Sequence, residues 1–136
     1  MPEAILRGRA IVEGRCKGEA LVSLRPLSFL GGVDPASGIV VEKGHDLCGE
    51  RVKDKVLCFP HGHGSTVGSY VLYSLAKNSF APKAIVNQKA DPVVVVGAII
   101  ANIPMIAQID VQQISTGDIV DVDAYGGIVK ILRSKE

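Results

Sequence analysis

The middle of the chain alternates short apolar runs with longer segments of helical character, and this alternation constrains the fold more than any other feature. The short runs, residues 55–59, 84–87 and 104–107, have the length of strands and are too short for helices. Residues 70–77 and 91–101 separate them and have helical patterns. Strands that alternate with helices favour a central sheet with crossover helices, so we predict an α/β fold.

Local signals mark the ends of the two predicted helices. In the first, apolar residues recur on one helical face from Val67 to Leu75, and Asn78 marks its end. The second opens on Asp91, a residue typical of an N-cap, and a proline occupies the first helical position. It ends at Asn102. Both helices are therefore expected to flank the sheet.

Both ends of the chain are predicted to form β-hairpins. Residues 6–12 and 19–24 have strand patterns and are joined by a turn at residues 14–18. Residues 118–132 alternate apolar with polar side chains and turn at a pair of glycines. A further short strand is expected at residues 39–42, between two polar loops. All 136 residues are expected to form a single domain.

Composition and charge exclude several classes of function. The chain is 47% hydrophobic but only 4% aromatic, so its core must consist of Val, Ile, Leu and Ala. Lys and Arg total 15 against 14 Asp and Glu, and the short basic clusters lack interleaved aromatics, which argues against a nucleic-acid partner. The most apolar run, residues 93–106, is too short for a bilayer, and no signal peptide is visible. Three widely spaced cysteines fit a reducing compartment. We therefore expect a cytoplasmic protein without a membrane partner.

Residues 58–70 give the strongest indication of a functional site. A buried strand leads into a glycine-rich turn, and a helix is expected to begin with Ser65 and Thr66. Ligands of α/β sheets bind at the carboxyl ends of strands, and a helix start supplies free N–H groups with partial positive charge. The glycines that would let a ligand approach the backbone are Gly62, Gly64 and Gly68. This arrangement predicts a site for a carboxylate or a phosphate.

Taken alone, these residues leave simpler interpretations open. Ser65 is equally compatible with a plain N-cap, and no Gly-Lys-[Ser/Thr] sequence identifies a P-loop. Cys58, His61 and His63 lie within six residues, but no fourth metal ligand follows at zinc-finger spacing. No two cysteines have the spacing of an iron–sulfur motif, so any cluster must be held by another chain.

Four motifs together resemble the small subunit of the aconitase X family. They are Phe-Leu-Gly-Gly-Val-Asp-Pro at residues 29–35, Gly-His-Asp-Leu-Cys-Gly at 44–49, Gly-Ser-Thr-Val-Gly-Ser at 64–69 and Gly-Ala-Ile-Ile-Ala-Asn-Ile-Pro at 97–104. The resemblance covers residues 7–131 and implies a swivelling β/β/α domain like the mobile C-terminal domain of aconitase. It also implies a large catalytic partner subunit that holds an iron–sulfur cluster, with no cofactor bound by this chain alone and no activity without the partner.

The resemblance further implies an activity and a set of site residues. The archaeal branch of the family is a hydro-lyase that converts (R)-5-phosphomevalonate to trans-anhydromevalonate 5-phosphate in the mevalonate route to isoprenoids. The serine of the Gly-Ser-Thr motif is the proton acceptor in that family, and it falls on Ser65. The loops expected to bind the small phosphorylated hydroxy-acid substrate contribute Gly31, Gly32, Val33, Asp34, His45, Asp46, Gly64, Thr66, Gly68 and Ser69.

The shared richness of these loops in glycine and polar residues predicts that they meet. Residues 29–34 and 44–46 are expected to lie beside residues 64–69 at one end of the sheet, on the side that faces the partner.

Three other functions stay open. The small subunit of a cis-3-hydroxyproline dehydratase shares the scaffold. A phosphohistidine-type swivelling carrier domain has similar terminal hairpins, but its histidine lies in a Ser-His-x-Ala helix start, whereas residues 65–69 read Ser-Thr-Val-Gly-Ser. A non-catalytic binding module is the third, and copurification of a large cysteine-containing partner would argue against it.

Overall fold

A computed structural model describes residues 4–132, which form one eight-stranded sheet and two α-helices. The strands are β1 (Ala4–Arg7), β2 (Arg9–Val12), β3 (Arg15–Val22), β4 (Val56–Phe59), β5 (Ala84–Asn87), β6 (Met105–Ala107), β7 (Ile119–Asp123) and β8 (Ile128–Leu132). The helices are α1 (Gly68–Lys77) and α2 (Pro92–Ala101), and a short 3₁₀ turn covers Val111–Gln113. The predicted α/β fold is confirmed.

The sheet curls until its two edges meet. Its strand order is β1-β8-β7-β3-β4-β5-β6-β2, with β3 to β6 parallel and the remaining pairs antiparallel. The edge strands β1 and β2 are separated in the chain only by Gly8, whose N–H donates to the Gly127 carbonyl at 2.8 Å. A Cβ on Gly8 would lie 2.2 Å from the Ala107 carbonyl oxygen. Only glycine therefore fits where the two edges come together.

Alternate residues of the central strands serve two separate cores. Val56 and Cys58 of β4 join the apolar cluster inside the curled sheet, whereas Leu57 and Phe59 face the helices and the long segment 23–55. This division follows from the two-residue period of a strand. Every residue of β4 and β5 is buried, as expected for parallel strands covered on both faces.

The parallel core was largely predictable from local signals. Asp91 caps α2, with its carboxylate accepting from the N–H groups of Val93 and Val94, and Asn102 ends the helix in the left-handed conformation. α2 crosses α1 at Gly97, where a Cβ would lie 2.5 Å from Cδ1 of Leu72. The predicted β-α-β-α-β order and the closing hairpin of β7 and β8 are confirmed.

Two predicted elements are wrong. The N-terminal hairpin does not form, because β2 pairs with β6 while β3 pairs with β4 and β7. Gly8 divides the first predicted strand, and Gly18, read as part of a turn, lies inside β3. The expected strand at residues 39–42 is reduced to isolated bridges, Val33 with Val40 and Ile39 with Arg51. The segment instead folds back on itself and buries Val40 completely.

Candidate functional site

The segments that follow β3 and β4 leave the same end of the sheet, because these neighbouring strands are parallel. Leu27 and Gly62 form a parallel bridge between the two segments. The Leu27 N–H donates to the His61 carbonyl, and the His63 N–H donates to the Leu27 carbonyl, each at 3.2 Å. The carboxyl ends of parallel strands are where α/β sheets bind ligands, and the candidate site lies there.

A cleft of about 360 Å³ opens between these segments and the loop that contains His45. It is lined by Arg25, Pro26, Glu42, Lys43, Gly44, His45, His61 and His63. The volume is at the lower end of the range for small-molecule sites, roughly 300–1,000 Å³. The cleft can therefore hold part of a small metabolite, with the rest of the molecule extending beyond its rim.

Ser65 lies in an exposed loop before α1 rather than at the helix start. The N-cap is Val67, which has helical backbone angles and no side-chain cap. Residues 65–68 form a turn in which the Gly68 N–H donates to the Ser65 carbonyl at 2.9 Å. The Ser65 Oγ accepts from the Val67 N–H at 3.2 Å. The expectation that the helix begins with Ser65 and Thr66 is therefore corrected: the turn delays it by about three residues.

The loop before α1 leaves several amides free. Within residues 4–132, the N–H groups of Gly64, Ser65 and Thr66 donate to no acceptor. Gly64 has a φ of 100°, and a Cβ there would lie 2.7 Å from the Ser28 Oγ. A side chain at this position would be strained and would press on the neighbouring segment. The loop thus presents unpaired donors next to Ser65.

The loop at residues 29–34 meets the Ser65 loop only at its beginning. A Cβ on Gly68 would lie 3.4 Å from the Leu30 nitrogen, so Leu30 packs at the start of α1. The other end is held differently, because the Asn78 amide donates to the Pro35 carbonyl at 2.9 Å. Since α1 has ten residues and is about 15 Å long, Leu30 and Pro35 lie near opposite ends of the helix.

Asp34, Val33 and the two glycines of this loop therefore differ in placement. The Asp34 carboxylate accepts from the Ala36 N–H at 3.0 Å and the Ser37 hydroxyl at 2.9 Å, so it caps a local turn near the far end of α1. Val33 is buried in the core. Gly31 is exposed, whereas Gly32 is buried against the Ser28 carbonyl. The expectation that residues 29–34 as a whole lie beside residues 64–69 is corrected, although a role of these residues toward substrate stays a prediction.

His45 is a buried wall of the cleft. Its Nδ1 accepts from the Leu47 N–H at 3.0 Å, and its Nε2 lies 3.1 Å from the Pro26 carbonyl oxygen. This pattern assigns the ring proton to Nε2, because Nδ1 uses its lone pair on the amide. The Asp46 Oδ1 lies 3.0 Å from the same Nδ1. Both ring nitrogens are occupied, so His45 shapes the cleft.

Asp46 ties its loop to the end of β3. Its carboxylate accepts from the Ser23 hydroxyl at 2.6 Å and from the Leu24 N–H at 3.2 Å. Ser69 is also engaged locally, with its hydroxyl donating to the Thr66 carbonyl at 2.9 Å. Asp46 and Ser69 therefore hold the backbone of the site, and their predicted contact with substrate stays a prediction.

The cysteines of the described chain do not fit an iron–sulfur cluster. Residues 4–132 contain no group of three or more His, Cys, Asp or Glu side chains placed to hold a metal. Cys58 is fully buried inside the curled sheet, and burial strongly raises the pKa of its thiol, with the Asp118 charge adding to the effect. Burial likewise raises the pKa of Cys16. Since the thiolate is the form that binds metal, these cysteines are poor ligands.

Sequence reasoning missed three charged residues of the cleft, Arg25, Glu42 and Lys43. They lie 18 to 38 residues away from His61 and His63 in the chain, and no spacing rule connects them. The only signal for these residues in the sequence was their position next to predicted elements and motifs. Arg25 follows the end of β3 by three residues, and Lys43 directly precedes the Gly-His-Asp motif.

Among residues 4–132, neither helix has the length and hydropathy that crossing a membrane requires.

Comparison with known proteins gives consistent results. A family model described as the aconitase X swivel domain matches residues 5–131. The phosphomevalonate dehydratase small subunit of Thermococcus sibiricus is 56% identical over 126 residues, covering 93% of this chain and 97% of that protein. The small subunit of the same name from Methanosarcina acetivorans is 49% identical, covering 96% of this chain and 92% of that protein.

Solved structures agree with this similarity. The crystal structure of aconitase X from Thermococcus kodakaraensis, in its holo form, matches with a TM-score of 0.94 at 52% identity, covering 96% of this chain and 99% of that chain. A chain solved by NMR in solution matches with a TM-score of 0.87 at 46% identity, covering 96% of this chain and 100% of its own length.

Proposed function

This chain belongs to the aconitase X swivel-domain family, and we propose that it is the small subunit of a phosphomevalonate dehydratase. The observation that carries the proposal is full-length similarity. The two relatives of that name described above are 56% and 49% identical, and the alignments span 97% and 92% of their length. The fold and the placement of Ser65 at the end of a parallel sheet are compatible with such a role.

We propose that Ser65 accepts the proton that the substrate loses. Dehydration of (R)-5-phosphomevalonate removes a proton from C2, next to the carboxylate, and the hydroxyl from C3. The C2 proton would pass to the Ser65 Oγ, the electrons of the C2–H bond would form the double bond to C3, and the hydroxyl would leave with its bonding pair. A serine oxygen is a weak base unless its anionic form is stabilised.

Two features of the loop support this role for Ser65. The Val67 N–H already donates to the Oγ at 3.2 Å, so a donor is in position to stabilise negative charge there. The loop also lies just before α1, where the partial positive charge of the helix adds to the effect. We further propose that the free amides of Gly64, Ser65 and Thr66 bind the substrate carboxylate, which is attached to the carbon that reacts.

The proposal requires a large partner subunit. The relatives are named small subunits, which implies a larger subunit beside each of them. The iron–sulfur cluster that the family implies does not fit the donors of residues 4–132, so we assign it to the partner. Ser65 alone provides one wall of a site, and we expect no turnover until the second wall is present. The predicted cytoplasmic location and the absence of nucleic-acid and membrane partners stay predictions.

The test is to express this chain with the large subunit encoded in the same genome, isolate the complex, and assay it on two substrates. Dehydration of (R)-5-phosphomevalonate, with no turnover of cis-3-hydroxyproline, is the expected result. Turnover of cis-3-hydroxyproline instead would show that the chain is the small subunit of a cis-3-hydroxyproline dehydratase. Failure to form any complex would favour a binding or carrier module. The same assay on each chain alone should show no activity.

A further inference from the structure

The cleft beside the Ser65 loop carries more positive than negative fixed charge. Arg25 and Lys43 line it together with a single carboxylate, Glu42. The Glu42 carboxylate is turned toward the neighbouring loop, where Oε1 accepts a long hydrogen bond of 3.5 Å from the Ser28 N–H. The negative charge is thus directed at the protein backbone. The cleft is left with an excess of positive charge available to a ligand.

The donors of the two cations remain largely unused. Among residues 4–132, neither Arg25 nor Lys43 pairs with a carboxylate. Arg25 donates from Nη1 to the Gly44 carbonyl, which fixes the guanidinium at the cleft and leaves four of its five N–H groups free. Lys43 makes no polar contact within the same residues.

The histidines add donors to the same cleft. His61 is half-buried, and its Nδ1 lies 2.8 Å from the Gly62 carbonyl, which leaves Nε2 free. His63 is exposed at the rim and makes no side-chain hydrogen bond within the described part of the chain. The cleft therefore combines a fork of Arg donors, an ammonium group and two imidazoles around a space of about 360 Å³, which is large enough for a phosphate group.

The position of the cleft matches the length of the proposed substrate. His63 precedes Ser65 by two residues, which span at most about 7 Å of chain. In 5-phosphomevalonate, five bonds separate C2 from the phosphorus atom, or about 6 Å at roughly 1.5 Å per bond along a zigzag. A molecule with C2 at the Ser65 Oγ and its carboxylate on the free amides can therefore reach the part of the cleft at His63 with its other end.

We infer that this cleft binds the phosphate of the substrate, with Arg25 and Lys43 as its main ligands and His61 and His63 as additional donors. The inference rests on the proposed function, because it assumes a phosphorylated substrate that reacts at Ser65. It gives the small subunit a second task beyond proton transfer. The subunit would select for phosphorylated substrates and hold the molecule by the end that does not react.

Steady-state kinetics of the assembled two-subunit enzyme test the inference. Lys43→Gln should raise the KM for (R)-5-phosphomevalonate about tenfold, because a charge-assisted contact is lost, while kcat changes by less than about threefold. Arg25→Gln combined with Lys43→Gln should raise KM about a hundredfold. Lys43→Arg should restore most of the loss. The matched control is Lys53→Gln, which removes an equal charge from a lysine that packs over Phe80 outside the cleft, and which should leave KM unchanged.

A second measurement is independent of catalysis. Inorganic phosphate titrated into the isotope-labelled full-length chain should shift the NMR signals of residues around the cleft, and Lys43→Gln should reduce those shifts. If the wild-type complex is active on 5-phosphomevalonate and Lys43→Gln leaves KM unchanged, the inference is wrong while the proposed function stands. If the wild-type complex is inactive, the proposed function fails, and the phosphate titration alone decides whether the cleft binds phosphate.

Discussion

The two helices of this domain begin in contrasting ways, although their N-termini are neighbours. α2 starts behind Asp91, whose carboxylate accepts hydrogen bonds from the first free amides, Val93 at 3.1 Å and Val94 at 3.4 Å. α1 starts behind Val67, which offers no side-chain cap. A shallow depression between them is lined by Thr66, Ser69, Pro92, Val93 and Val96.

The capped start of α2 contributes to stability, whereas the uncapped start of α1 leaves N–H groups available to a ligand. A carboxylate at the N-cap occupies the donors that an anion would need and neutralises part of the local dipole. In the loop before α1, by contrast, the amides of residues 64–66 stay free and the Val67 N–H is directed at the Ser65 hydroxyl. The same helix-start chemistry thus stabilises the fold at α2 and is available for substrate at α1.

The largest expected effect is that of Ser65→Ala on turnover. If Ser65 is the proton acceptor, kcat of the two-subunit enzyme should fall by about 10²–10⁴, since general-base catalysis contributes that much. KM should change little, because the backbone amides remain. The thermal midpoint should stay near that of the wild type, since the hydroxyl caps no helix. A near-normal kcat would mean that the large subunit supplies the base.

A substitution at the crossing of the two helices should act on stability instead. Gly97→Ala would place a methyl group 2.5 Å from Cδ1 of Leu72, so one helix has to move. Overpacking of this kind costs about 1–3 kcal/mol of unfolding free energy. Urea denaturation of the isolated chain measures it. Ala101→Gly is the control, because it changes helix propensity in α2 without the steric contact to Leu72. Gly117→Ala cannot serve, because Gly117 has a φ of 97° and a side chain there would be strained. Wild-type stability in Gly97→Ala would show that the helices have room to separate.

Removal of the α2 cap should destabilise the fold without a direct effect on chemistry. Asp91→Ala loses two hydrogen bonds to backbone amides and should cost about 0.5–2 kcal/mol. Asp91→Asn is the matched variant, because an amide oxygen still caps, and it should recover much of the loss. Thermal denaturation of both variants provides the comparison. A loss of kcat in Asp91→Ala greater than that of Ser65→Ala would contradict the division between the two helix starts.

The smallest effect is expected for Thr66→Ala. The Thr66 side chain caps no helix, and the groups proposed to contact substrate at this position belong to the backbone. Stability should change by less than about 0.5 kcal/mol, and kcat by less than about threefold. Measured beside Ser65→Ala, this variant separates a loss of the reacting oxygen from a general disturbance of the loop. Equal losses in both variants would argue for the latter.

Local signals predicted α2 well and the start of α1 poorly, for a physical reason. The Asp-Pro pair at residues 91–92 and the asparagine at position 102 act within one helical turn of themselves, so their effect is visible in sequence. Ser65 and Thr66 have the same residue types as an N-cap. What delays the helix is a tight turn closed by the Gly68 amide, beside a packed segment at residues 28–30 that lies far away in sequence.

The sequence by itself determined the alternation of strands and helices, the closing hairpin and the family, because periodicity, caps and motif combinations are properties of short stretches of chain. Only the tertiary structure decided that β2 and β3 take different partners, that Asp34 lies at the far end of α1, and that Arg25 and Lys43 share a cleft with His61. Strand pairing and cleft lining depend on which segments the whole core brings together, and the free energy that selects them comes from burial across distant residues. The pattern of residue types along the chain does not show which distant segments will pair or line the cleft.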